Sequence, residues 1–116
     1  MTMDPVSTNP GNYSVVFEND RVRVLEYRDE PGFASVPHAH PDSVMITLSD
    51  FQRRLSTDDH QVEVEMDSGQ ARWLGAQVHS GHNIGQTPTH VMFVELKEAA
   101  PNPAATPSVL GPEPVE

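Results

Sequence analysis

Apolar residues in this chain fall in short runs of strand period, and no window carries the i, i+3, i+4 stripe of a capped helix. Residues 13–18 (YSVVFE) and 21–27 (RVRVLEY) are rich in β-branched and aromatic side chains, with Asn19-Asp20 between them as a tight-turn pair. Pro31-Gly32 marks a second turn, after which residues 33–40 and 44–49 (VMITLS) read as extended. Residues 51–55 and 61–66 (QVEVEM) flank a turn containing Asp58-Asp59. The second of these alternates cleanly, with Val62, Val64 and Met66 on one face and Glu63 and Glu65 on the other. Residues 71–74 and 90–97 (HVMFVELK) complete the set, the last apolar on both faces like a strand inside a closed or two-layered sheet. About eight strands with short turns predict an all-β barrel or double-sheet roll.

The ends of the chain differ from its middle. Residues 101–116 (PNPAATPSVLGPEPVE) hold five prolines and no aromatic residue, and residues 1–11 carry Pro5 and Pro10. Proline fixes φ and removes a backbone donor, so both ends are expected to be extended and unpacked. The reading is a flexible segment at 1–11, one folded domain at 12–99 and a Pro-rich tail at 100–116. Val109 and Leu110 offer an apolar pair to a partner subunit, but a loose tail is the expectation. No internal repeat is present. Seventeen acids against seven bases give a formal net charge of −10, which argues against nucleic acid and anionic membrane surfaces. The absence of cysteine excludes disulfides, thiolate metal sites and cysteine nucleophiles. No apolar run approaches the ~18 residues of a membrane span, and residues 1–10 lack a signal pattern, so a cytoplasmic protein is expected.

Six histidines in 116 residues carry the chemical information. His38 and His40 lie two apart in an extended segment, so both imidazoles leave the same strand face. Pro37 and Pro41 bracket them and favour extended backbone at Val36 and His40. His79 sits in a turn-rich stretch, VHSGHNIG. Two histidines at i, i+2 with a distant third is a pattern for a three-nitrogen metal site on a β scaffold. The competing reading is a pair of surface histidines in a loop.

These residues resemble the motifs of the cupins. The first cupin motif begins with glycine, five residues and HxH, matched here by Gly32, residues 33–37 and His38-Ala39-His40. The second ends in histidine, three residues and asparagine, matched by Gly69 at its start and His79 with Asn83 at its close. The stretches FENDRVRVLEYRDEPG and GQARWLGAQVHSGHNIGQTPTHVMFVELK look like small single-domain bacterial cupins, some of them associated with β-alanine degradation. The resemblance covers roughly residues 16–97 and implies a double-stranded β-helix, or jelly-roll barrel. It departs from the family at the motif-one glutamate, whose position falls at Val44 or Met45, at the proline position held by Gly75, and in a loop before His79 one residue short. The motif-one closing glycine is missing as well. His38, His40 and His79 therefore carry over as metal ligands, for one divalent iron, manganese, nickel, zinc or copper ion. A three-histidine set without carboxylate is similar to that of cupin dioxygenases acting on thiols and diketones.

Further candidates follow from strand phase. His82 stands where similar cupins often carry an acid and is read as a general base, with a plain loop position as its rival. Met45 and Thr47 share the phase of the missing glutamate, Trp73 leads towards His79, and these are read as substrate contacts. Arg53 is the candidate clamp for a substrate carboxylate, against an ion-pair role for it and Arg54. His60 is expected in a solvated turn, and His90 as a hydrogen-bonded wall residue. The function expected is a small-molecule enzyme, either a metal-dependent dioxygenase or a Lewis-acid lyase or isomerase. Two alternatives stand beside it: a metal-free cyclase or isomerase using the pocket histidines as acid and base, and a non-catalytic binding module. No GxSxG elbow, GxxxxGK[ST] loop or GxGxxG fingerprint is present. A homodimer is expected, because the strands at 13–18 and 21–27 are apolar enough to pair at an open sheet edge.

Overall fold

The strand-period runs become nine strands in a computed structural model that describes residues 3–98 and 109–114. β1 (Tyr13–Glu18) and β2 (Val22–Asp29) form a hairpin. Asn19 makes its turn, its Oδ1 accepting from the backbone N–H of Arg21 at 2.8 Å and of Val22 at 2.9 Å. β3 (His38–His40), β4 (Ser43–Thr47), β5 (Phe51–Ser56), β6 (Gln61–Met66), β7 (Ala71–Leu74), β8 (Gln77–Asn83) and β9 (Thr89–Leu96) follow. All pairings are antiparallel. One sheet has the order β1-β2-β9-β4-β7 and the other β3-β8-β5-β6. Their inner faces share a core that includes Leu25, Met45, Leu74, Val91 and Phe93 from the first sheet and Phe51 and Met66 from the second. Leu25, Leu74 and Val91 are almost completely buried, each contributing about 1.5–3 kcal/mol of transfer free energy. Among the described residues, no helix is long and apolar enough to cross a membrane.

Three elements differ from the sequence expectation. Only His38–His40 of residues 33–40 joins a sheet as a strand, with Ala34 making a single bridge to His82. The stretch VHSGHNIG, expected as turns, is largely β8. Gly81 signals a turn by composition, yet here it lets the Arg53 guanidinium pass the strand: a Cβ at this position would overlap Arg53 Nη2.

The third difference lies at the ends. Pro5–Thr8 form a short helix, α1, capped by Asp4, whose Oδ1 accepts from the Val6 N–H at 2.9 Å. Asp4 also pairs with Arg23 at 3.0 Å, and the Met3 carbonyl accepts from Ala39 N–H at 2.7 Å, so the start of the chain supports β3. Residues 109–114 pack as well, with Glu113 N–H bonded to the Trp73 carbonyl at 2.8 Å. Pro5 opens α1 at its first position, where no backbone N–H is needed, and among the described residues of the two ends proline does not prevent docking. Residues 100–108, 115 and 116 of the expected tail, with residue 99 of the expected domain, lie outside the described residues.

Candidate metal centre

Register brings the three ligand candidates together. β3 pairs with β8 so that His38 stands directly opposite His79, and strand period puts His40 on the same face as His38. The ring centroids of His38 and His40 are 4.8 Å apart, and each lies 5.0 Å from that of His79. One nitrogen from each ring lies within 4.8 Å of the others. His38 and His40 are each 3% exposed and His79 6%, so all three point into the barrel. Burial lowers the pKa of each: His40 well below its ordinary value, with repulsion from His79 and His38 adding to it, and His79 down to about 3. The rings are neutral at neutral pH, and neutral imidazole is the form that ligates a metal.

The surroundings orient the rings. His38 Nδ1–H donates to the Val36 carbonyl at 2.8 Å, and Asn9 Oδ1 fixes that residue by accepting from Val36 N–H at 3.2 Å. His79 Nδ1–H donates to Gln77 Oε1 at 2.7 Å. Both bonds leave Nε2 as the lone-pair nitrogen, the usual arrangement by which outer partners present a histidine to a metal. His40 Nδ1 is buried with no hydrogen-bond partner, an unsatisfied nitrogen of the kind a cation or water would complete. The donor set fits a divalent transition metal. Met45 takes an inward position of β4 and lines the same cavity, and among the described residues no carboxylate joins the group.

Other expected site residues separate. Met45 and Arg53 line the cavity. Arg53, however, is already engaged: it pairs with the buried Asp29 carboxylate and donates to Thr89 Oγ1 at 3.1 Å and to Tyr27 Oη at 3.3 Å. Arg54 pairs with Glu63 on the exposed side. Thr47 does not reach the cavity. Its hydroxyl donates to the Asp67 carbonyl at 2.7 Å and accepts from Gln70 N–H at 2.9 Å, which pins the β6–β7 turn. Trp73 is 39% exposed, because Leu74 takes the inward position of β7. His82 is the main correction. β8 turns His79, Gly81 and Asn83 inward, so a residue three places after His79 faces outward. Its imidazole is turned away from the three-histidine group. His90 is half-buried and bonded to Glu26 at 2.6 Å, and His60 is exposed.

Sequence reasoning missed Tyr13, Gln77 and Phe93. Tyr13 Oη lies 3.4 Å from His38 Nε2, and the Phe93 ring lies 5.0 Å from that of His40. Their place in the inward phase of β1 and β9 was readable, but nothing local separates a cavity wall from a core.

No protein-family model matches this chain, and no curated protein does. Solved structures do. A cupin domain from Bordetella pertussis Tohama I is 25% identical, with a TM-score of 0.69 over 74% of this chain and 92% of its own. The fold is that of the cupins. A conserved Klebsiella pneumoniae protein with a double-stranded β-helix domain is 23% identical, TM-score 0.57, over 76% of this chain and 78% of its own. The polyketide cyclase RemF from Streptomyces resistomycificus is 18% identical, TM-score 0.57, over 77% and 66%. On this fold the HxH pair of β3 and the histidine of β8 meet at one centre.

The buried histidines set a pH dependence for the metal-free protein. In the unfolded chain they take up protons below about pH 6.5. In the fold they resist protonation, His79 until about pH 3. The unfolded state therefore binds more protons in this window, and stability falls as pH drops through it. With chelator present, the urea midpoint is expected to be lower at pH 5.5 than at pH 7.5. An unchanged midpoint would contradict the buried neutral histidines.

Proposed function

We propose that this cupin is an enzyme holding one divalent metal on His38, His40 and His79, and that it acts on a small organic substrate bearing a carboxylate or enolisable carbonyl. The observation that carries the reading is the convergence of three buried, neutral imidazoles, joined by no carboxylate among the described residues. A metal there supplies Lewis-acid strength that no anionic protein ligand reduces. The chain's own residues do the rest. Met45 and Phe93 pack the hydrocarbon part of the substrate, and Tyr13 keeps its proton, since burial raises its pKa. Its hydroxyl, against His38 Nε2, is the group placed to donate a hydrogen bond or proton. This favours lyase or isomerase chemistry over dioxygenation.

The Tyr13–His38 contact also supports a second reading, a metal-free cyclase or isomerase, and RemF shares this fold under the name polyketide cyclase. Elemental analysis with proton exchange separates the two. Up to one equivalent of a first-row divalent metal is expected per chain, and the metal-loaded protein is expected to exchange the α-protons of small keto acids in D2O. Exchange that persists in the metal-free protein moves the reading to the cyclase. No metal uptake on reconstitution refutes the metalloenzyme.

We also propose a homodimer. β1 is an edge strand, and Val15, Val16 and Phe17 on it are 45%, 54% and 52% exposed. Light scattering is expected to give twice the chain mass. A monomer at micromolar concentration would refute the pairing.

A further inference from the structure

We propose that residues 109–114 are a lid on the metal cavity, latched by Gln77, which lifts to admit substrate; this rests on the reading of that cavity as the active site. Pro112 forms part of the cavity wall beside Leu55 and Val64. Gly111 is buried at φ +84°, so close to β5 that a Cβ would overlap Leu55 Cδ1. Only glycine takes this conformation and this approach without strain.

The space left behind the lid is small. The cavity volume is about 40 Å³. A water needs roughly 10–15 Å³ on this measure, so the closed barrel has room for a few waters. Pockets for metabolite-sized ligands run to about 300–1,000 Å³. A substrate therefore requires a wall to move, and residues 109–114 are a wall that belongs to neither sheet; among the described residues three hydrogen bonds tie it down. The backbone bond from Glu113 N–H to the Trp73 carbonyl holds one end. Gln77 holds the other: its Oε1 accepts from Gly111 N–H at 2.8 Å, and its Nε2 reaches the Val109 carbonyl at 3.4 Å. A short segment outside the strand ladders opens at lower cost than the sheets do.

Gln77 also joins the lid to the metal centre. The same Oε1 that receives Gly111 N–H receives His79 Nδ1–H at 2.7 Å. Lifting the lid removes one of the two donors on that oxygen, so lid position and His79 orientation are linked through one side chain. Gln77 is a positioning residue, which acts through His79 and does not line the cavity.

The test is carbethoxylation of the metal-free protein by diethyl pyrocarbonate, followed residue by residue with peptide mass spectrometry. In the wild type, His38, His40 and His79 are expected to react far more slowly than exposed His60. Gly111→Val puts a β-branched residue at positive φ and should raise the rates at the three buried histidines by about tenfold, with His90, bonded to Glu26 on the other sheet, unchanged. Gln77→Leu removes the latch and should do the same, whereas Gln77→Glu keeps the acceptor oxygen and should react more like the wild type. Equal rates at His60 and the buried three in the wild type would overturn the lid. So would a Gly111→Val protein, folded by circular dichroism, that reacts as slowly as the wild type. Slow reaction in Gln77→Leu would overturn the latch. Because this readout needs no metal, a wild type that binds none would refute the proposed function and leave the lid to be decided by the labelling.

Discussion

Replacing Asp29 with alanine is expected to destabilise the fold by about 3–5 kcal/mol, the cost of leaving a buried charge without its partner. The Asp29 side chain is wholly buried and receives hydrogen bonds from Tyr27 Oη, Arg53 Nη1 and Asn83 Nδ2, the last at 3.0 Å. It joins β2 of one sheet to β5 and β8 of the other. Removing the carboxylate strands the Arg53 guanidinium between the sheets and leaves the Tyr27 hydroxyl and the Asn83 amide each a partner short. The double variant Asp29→Leu with Arg53→Met removes both charges and should recover much of the loss, since a well-packed apolar pair often matches a buried ion pair. Urea unfolding measures both. A loss below about 1 kcal/mol in the single variant would mean that Arg53 finds water or another partner.

The second large effect is on the metal. His79→Ala removes one of three neutral ligands and is expected to lower zinc affinity by more than about 100-fold, beyond the 10–100-fold typical of changes to outer partners. His79 is the ligand to choose, because it comes from the opposite strand and its loss leaves only the local pair on β3. His82→Ala is the matching control. It faces outward on the same strand, so metal affinity and turnover are expected to stay within about twofold of the wild type. A His82→Ala protein that binds zinc but loses turnover would restore the general-base role.

The ligand set was legible because its physics is local. The i, i+2 spacing of His38 and His40 needs only strand period, and Pro37 and Pro41 supply extended backbone around it. The barrel was legible from strand runs and turn pairs such as Asn19-Asp20. Parity was harder. The strand of Trp73 leads towards His79, but one residue decides the face of a strand, and Leu74 holds the inner one. The same rule moves His82 out, and it was hidden by Gly81, whose turn signal masked a regular strand. Thr47 shares the phase of Met45, yet two residues further along the strand the cavity has ended and a backbone turn needs the hydroxyl. Residues whose role arises between distant segments left no signal. Gln77 acts by linking His79 with Gly111, and Tyr13 by facing His38 from the other sheet.

The central claim is that three imidazoles from two neighbouring strands hold one metal inside the barrel. X-ray absorption at the zinc edge of protein reconstituted with one equivalent of zinc tests it directly. The account predicts three imidazole nitrogens at ~2.0–2.1 Å, completed by light-atom ligands from solvent. Failure to retain zinc, or a bound zinc whose shell contains fewer than three imidazoles, would contradict it.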